Sequence, residues 1–310
     1  MSGQLKTRRG QRADLRSRDE IRAVRRKGRT GLYLVLPGMI VLALFFALPV
    51  LVLLAMSLYT KPPGAEIGEF VPALQLSNYA VVLETYWSVL LRSFGFALIA
   101  TVLALLIGYP MAYLVAVRLR QQGLLKGILL VLLIAPFFSS FILRTQAWKQ
   151  ILADEGIIAQ SLKAISLLPP DGHLTATPLA VVAGLTYNFL PFMVLPIYAN
   201  LDRLDTRLLE ASGDLYASPV TTFRKVTLPL SAPGVFAGTL LTFIPAAGDY
   251  INAALLGNNR NTTMIGQVID SRFFRVIDYP GAAALSFVLM ISILILVIIY
   301  IRRFGTKELF

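Results

Sequence analysis

Long apolar runs without a single charge recur along this chain, at 32–59 and then at about 93–117, 127–143, 174–201, 231–248 and 281–301, with polar, charge-bearing segments between them. A helix needs about 20 such residues to cross the hydrocarbon core of a bilayer. The pattern therefore predicts an all-α, polytopic membrane protein with about six transmembrane helices. The run at 127–143 is the shortest and lies at the limit of the criterion. The first run is too long for the core of a signal peptide and is expected to be retained. From Asp154 to Leu168 the apolar spacing predicts one or two short amphipathic helices on the outer face.

Prolines punctuate the runs: Pro37 and Pro49 in the first, Pro136 in the third, Pro191 and Pro196 in the fourth and Pro245 in the fifth. Broken helices are tolerated at membrane depth where neighbours or a water-filled cavity satisfy the freed backbone groups, which suits a transport pathway. Proline is also more frequent in membrane helices generally, so no single kink identifies a path.

Composition sharpens this picture. Of 310 residues, 56% are hydrophobic and 15% charged, and the mean hydropathy is +0.69, too apolar for an ordinary soluble domain. A net charge of +12 would suggest a nucleic-acid partner in a soluble protein, but here the basic residues sort by loop. Residues 1–31 carry ten Arg and Lys from Arg8 to Arg29 and almost nothing apolar, a tail that cannot bury a core. Such a stretch ahead of a first apolar run is the ordinary signal for a cytoplasmic N-terminus; a nucleic-acid arm is the alternative. With that tail inside, Arg118, Arg120 and Lys126, then Arg203, Arg207, Arg224 and Lys225, then Arg302, Arg303 and Lys307 all fall on the cytoplasmic side. Both termini are then cytoplasmic, the C-terminal one as a short tail at 305–310.

The loop at 202–230 is the most informative segment. Asp205 or Thr206 can cap a short helix whose Leu208, Leu209 and Leu215 form an apolar stripe edged by Arg207, Glu210 and Asp214. Ser218-Pro219 reads as a second helix start. An apolar stripe with charged edges suits a helix-in-groove contact with a partner in water; a connector lying on the bilayer surface is the plainer reading. Glu210-Ala211-Ser212-Gly213, Tyr216 and, further on, Leu228-Pro229 resemble the "EAA" loop of ABC importer permeases, the segment that docks on the ATPase subunit. Ser212 replaces the family's second Ala, and Tyr216 stands where the family usually has Gly.

The resemblance extends over residues 33–303, through Leu76-Ser77-Asn78-Tyr79, Ile107 to Tyr113, Ala135-Pro136-Phe137-Phe138 with Arg144, and Leu190 to Pro196. These are most similar to the first permease of spermidine/putrescine importers. The resemblance implies the type I importer permease fold over 32–304, in a bacterial inner membrane. It also implies four kinds of partner besides membrane lipid: two cytoplasmic ATPase subunits, a second homologous permease, an extracytoplasmic substrate-binding protein and a small-molecule substrate. Sister permeases carry sugars, glycerol phosphate, phosphonates, iron or thiamine.

For a polyamine, a carboxylate beside aromatic faces would supply charge and cation–π attraction. Asp249, near the outer end of the fifth run, is the candidate, with Tyr250, Tyr187, Phe137, Phe138 and Trp148 as candidate walls. Asp249 can equally be a helix-end residue or an ion partner of Arg144 or Arg275, and the aromatics core or interfacial residues. There is no cysteine, and His173 is the only histidine, so no metal centre is expected. No phosphate-binding Gly-x-x-x-x-Gly-Lys-Ser/Thr occurs, so ATP hydrolysis is expected in a separate subunit and no cofactor in this one. An ion-coupled transporter would carry several intramembrane charges or an inverted repeat, and a membrane enzyme a catalytic set; neither pattern is found.

Overall fold

The computed structural model describes residues 35–305. The basic tail expected at 1–31, and all but the first residue of the tail expected at 305–310, lie outside them. The described residues divide into two compact units, one through Met56 and one from Ser57 onward. Helix α1 (Val35–Ser57), with a mean hydropathy of 3.0, supplies the described part of the first, all but its last residue. A π-helical turn at Ala43–Ala47 precedes Pro49, where the proline withholds a backbone donor.

The second unit holds the remaining helices. These are α2 (Ser77–Arg118), α3 (Gly123–Phe138), α4 (Phe141–Leu152), α5 (Ile157–Ala164), α6 (Pro178–Asp202), α7 (Thr206–Asp214), α8 (Pro219–Ala247), α9 (Ile265–Ser271) and α10 (Tyr279–Arg303). Five of the helices, α1, α2, α6, α8 and α10, are each long and apolar enough to cross a membrane. The third apolar run is different. It breaks at Ser139-Ser140, after Pro136, and the chain turns by 100° between α3 and the helices that follow.

Hydrogen bonds show what that bent pair does. The Arg120 guanidinium donates to the carbonyls of Leu204 and Asp202, at 2.9 and 3.1 Å, and Lys126 Nζ donates to Asp202 Oδ1 at 2.6 Å. The end of α2, the start of α3 and the end of α6 therefore share one end of the bundle. At 25 residues, α6 is about 37 Å long at 1.5 Å per residue, so its start lies at the opposite end. The segment between α2 and α6 therefore runs from one end of the bundle to the other, bend included; counted as one span, it brings the candidate spans among the described residues from five to six.

The core is α2, α6 and α8 packed on one another. Small residues make the approach close. A Cβ on Gly234 of α8 would come within 2.8 Å of the Pro196 carbonyl of α6, and one on Gly238 within 2.9 Å of that of Met193. Gly234 and Gly238 are four apart, the small-x-x-x-small spacing that lets membrane helices touch backbone to backbone. Where lipid removes the hydrophobic drive for helices to associate, this packing is what joins α8 to α6.

Candidate functional site: the loop after α6 and the break after α8

The loop forms as its capping residues dictate. Asp205 Oδ1 accepts from Arg207 N–H at 3.0 Å to start α7, and Ser218 Oγ accepts from Thr221 N–H at 3.2 Å to start α8 behind Pro219. The second short helix is not a separate element. It continues through a π turn at Phe223–Thr227 straight into the span, so Leu228 and Pro229 belong to the helix that enters the membrane.

Between the two helices the chain turns at Tyr216, whose φ is +54°. The Tyr216 N–H bonds to the Gly213 carbonyl at 2.9 Å and the Ala217 N–H to that of Ser212 at 3.1 Å, the paired bonds of a Schellman helix ending. Its left-handed position usually takes Gly, since a side chain there costs about 1–2 kcal/mol. Tyr216 occupies it all the same, 98% exposed.

One face of the loop is fastened to the bundle. Ser212, buried, donates to the Leu209 carbonyl at 2.7 Å and lies 2.9 Å from Thr222 Oγ1, joining α7 to the start of α8. Phe223 packs edge-on against Tyr109 and Tyr113 of α2, with centroids 5.6 and 6.0 Å apart. Tyr109 OH in turn lies 2.7 Å from Ser231 Oγ of α8. The other face is open: Glu210, Ala211 and Gly213 are exposed, as are Leu208, Leu215, Tyr216 and Val220. An apolar patch of this kind next to a carboxylate is what a grooved partner in water would cover.

At the far end of α8 a second arrangement appears. Asp249 is 8% exposed, and its Oδ1 accepts from Asn252 N–H at 2.7 Å, capping the turn that follows α8. The Asn252 side-chain carbonyl accepts from Asn188 Nδ2 at 3.0 Å, and the same amide donates to Thr145 Oγ1 at 3.0 Å. One buried polar chain thus links the break after α8 to α6 and α4. Asn188 and Asn252, an amide in each of two apolar stretches, were the signal in the sequence for it. Among the described residues Asp249 enters none of the ion pairs, which are Lys126–Asp202, His173–Asp154 and Arg272–Asp278.

The candidate aromatic walls separate. Trp148 and Tyr187 pair at 5.2 Å, and Phe137 meets Phe192 at 5.1 Å. Phe138 is 90% and Tyr250 45% exposed. Tyr187 also lines a cavity of about 250 Å³ between α2, α3 and α6, with Met111, Leu133, Pro136, Val194 and Tyr198. No charged residue lines it. No group of three or more potential metal-ligating side chains occurs among the described residues.

Against known protein families, residues 104–304 match the model of the binding-protein-dependent transport system inner membrane component. That is well over half of the chain. The chain belongs to this family. It is an importer permease subunit, a multi-pass membrane protein whose relatives are permeases rather than ATPases. It is 38% identical over 262 residues to the spermidine/putrescine transport system permease protein PotB of Salmonella typhimurium, covering 84% of this chain and 89% of that one. With PotB of Escherichia coli K12 the identity is 36%, over 84% of this chain and 93% of the relative. The inner membrane ABC transporter permease YdcU of the same organism is 32% identical over 76% of this chain and 78% of its own. Among solved structures, a bacterial ABC transporter that imports the acidic polysaccharide alginate superposes with a TM-score of 0.66 at 15% identity, over 91% of this chain and 97% of that one. That likeness shows the fold.

Proposed function

We propose that this permease imports a polyamine of the spermidine/putrescine class, and that the loop from Asp202 to Leu230 couples it to two cytoplasmic ATPase subunits. A second, homologous permease completes the membrane pathway and an extracytoplasmic binding protein delivers the cargo. The observation that carries the coupling role is the two-sided loop: Ser212 and Phe223 fix one face to α2 and α8, while Glu210, Leu215, Tyr216 and Val220 stand free on the other. A partner pushing on the free face would move α2 and α8 together. The loop end of the bundle is then cytoplasmic, as the Arg and Lys in its loops require, and both termini lie on that side.

The polyamine assignment rests on the 38% identity to spermidine/putrescine permeases and on Asp249. Capping alone does not call for an acid, since Asn or Ser caps as well, and a buried carboxylate at membrane level is costly unless its charge is used. Asp249 would offer that charge to an ammonium group passing the outer end of α8, with Tyr250 beside it; Trp148, Tyr187, Phe137 and Phe138 are the further aromatic surfaces.

The test is reconstitution with the ATPase, the second permease and the binding protein, with and without Glu210→Lys. Spermidine should stimulate ATP hydrolysis and enter the vesicles with the wild-type chain. The charge reversal at the docking edge should reduce both, while the chain still inserts and holds its sister permease. Unchanged uptake and hydrolysis in the Lys variant would remove the loop from the coupling role. Import of a neutral sugar instead of spermidine would overturn the cargo.

A further inference from the structure

The cavity between α2, α3 and α6 has the depth, the wall and the mouth of a phospholipid site. Its lining on α6 runs from Tyr187 to Tyr198, about 16 Å along the axis at 1.5 Å per residue. The hydrocarbon core of a bilayer is about 30 Å thick, so the cavity reaches from near the end that carries Asp202 to about its middle. That is the depth of one acyl layer. Ala112, Val115 and Val194 make a buried floor, whereas Met111, Leu114 and Leu132 at the rim are exposed. The space therefore opens sideways between α2 and α3, on the flank of the bundle rather than at either end.

Water does not suit this space. A buried water needs about two to four polar partners, and among the lining side chains only the hydroxyls of Tyr187 and Tyr198 are polar. Left empty, the wall forfeits its dispersion contacts. An acyl chain restores them and asks for no hydrogen bond.

The mouth adds a charge preference. Lys126 Nζ lies 5.5 Å from the centroid of the Tyr198 ring, one helical turn ahead of Leu129 and Leu130 in the wall. Arg118 stands one turn beyond Leu114, exposed and outside the ion pairs found among the described residues. Arg120 gives its donors to the carbonyls of Leu204 and Asp202, which are neutral and leave its charge uncancelled. Against these three cations stands the Asp202 carboxylate, already paired with Lys126. A basic mouth over an apolar slot between spans fits a lipid with an anionic headgroup.

We propose that this cavity binds an anionic phospholipid of the leaflet at the loop end of the bundle, with one acyl chain in the slot and the phosphate against Arg118 and Lys126. The inference needs only that the chain spans a membrane, so it stands or falls apart from the coupling role and the cargo.

The test is native mass spectrometry of the full chain, alone and in the assembled transporter, titrated in mild detergent with phosphatidylglycerol or phosphatidylcholine. The wild-type chain should retain one phosphatidylglycerol in preference to phosphatidylcholine, and inorganic phosphate should not displace it. Arg118→Gln alters an exposed side chain; it should weaken phosphatidylglycerol about fivefold, the effect of one basic residue near a membrane surface, and leave phosphatidylcholine unchanged. Leu133→Trp fills the slot and should abolish retention while the chain unfolds at the wild-type temperature. Should that variant unfold early, Arg118→Gln still decides. No lipid retained by the isolated wild-type chain would leave the slot to α1 or to simple packing and overturn the proposal. Equal retention of the two lipids, or undiminished retention in both variants, would overturn it too, placing any bound lipid elsewhere on the surface. Loss of the lipid on assembly of the transporter would give the cavity to another subunit instead.

Discussion

Phe223 meets Tyr109 edge-on, with centroids 5.6 Å apart and ring planes at 89°, so the loop between α6 and α8 is packed on α2 as well as joined to its own flanking helices. Tyr109 passes the contact on through its hydroxyl to Ser231 of α8. Loop, α2 and α8 therefore form one body at that end of the bundle. If the loop couples the chain to a separate ATPase, as proposed above, such a body would convert a push on the loop into movement of spans.

Phe223→Ala tests that connection. Each aromatic pair contributes about 0.5–1.5 kcal/mol beyond its area, and the variant loses two, with Tyr109 and with Tyr113. ATPase binding should persist, because the exposed face of the loop is untouched, while spermidine uptake per ATP hydrolysed in reconstituted vesicles should fall. An unchanged ratio would mean that the loop drives the spans by another route.

Tyr216 supplies a second test. Its left-handed backbone costs about 1–2 kcal/mol relative to Gly, yet among the described residues the side chain is left 98% exposed. Tyr216→Gly should raise the thermal stability of the isolated chain and weaken ATPase association in a pull-down, since an exposed aromatic at an interface is a frequent anchor. Tighter association in the Gly variant would show that the ring is only tolerated.

Much of this was legible in the sequence because it is local. The caps at Asp205 and Ser218, and Pro219 at the first helical position, follow from side chains acting within three residues. The charge criterion misplaced boundaries where helices outrun the hydrocarbon. Glu84 and Arg92 hide the first turns of α2, which begins at Ser77 rather than near 93, and Arg224 and Lys225 hide the joining of the second short helix to its span. Pro136 gave warning of the third run's break, but not its 100° angle, which depends on packing against α6 and the turn after α8. The Asn188–Asn252 contact joins positions 64 apart, a pairing no local pattern encodes.

Orientation is open to direct measurement. Arg120, Lys126, Arg203 and Arg207 gather at the loop end of the bundle, and positive charge near span ends remains on the cytoplasmic side. Reporter fusions at Gly64, Gly172 and Asn259 should read outside, and fusions at Gln122 and Ser212 inside. A Ser212 fusion that reads outside would sink the coupling role along with the topology, since no ATPase works on that face.

Asp249 separates two roles that share one side chain. Its Oδ1 caps the turn after α8 through Asn252 N–H, and its charge is proposed to meet cationic cargo. Asp249→Asn keeps an equally good cap and removes only the charge, whereas Asp249→Ala removes both and should cost about 1 kcal/mol of stability as well. If the charge serves the cargo, the Asn variant should unfold at the wild-type temperature and still be stimulated by its binding protein to dock, yet take up labelled spermidine or putrescine far more slowly. The Ala variant should be both slow and less stable. If the carboxylate serves only the cap, the Asn variant should transport at the wild-type rate and the Ala variant alone should suffer. Wild-type uptake by Asp249→Asn would therefore remove Asp249 from the pathway, and with it the structural argument for a cationic cargo.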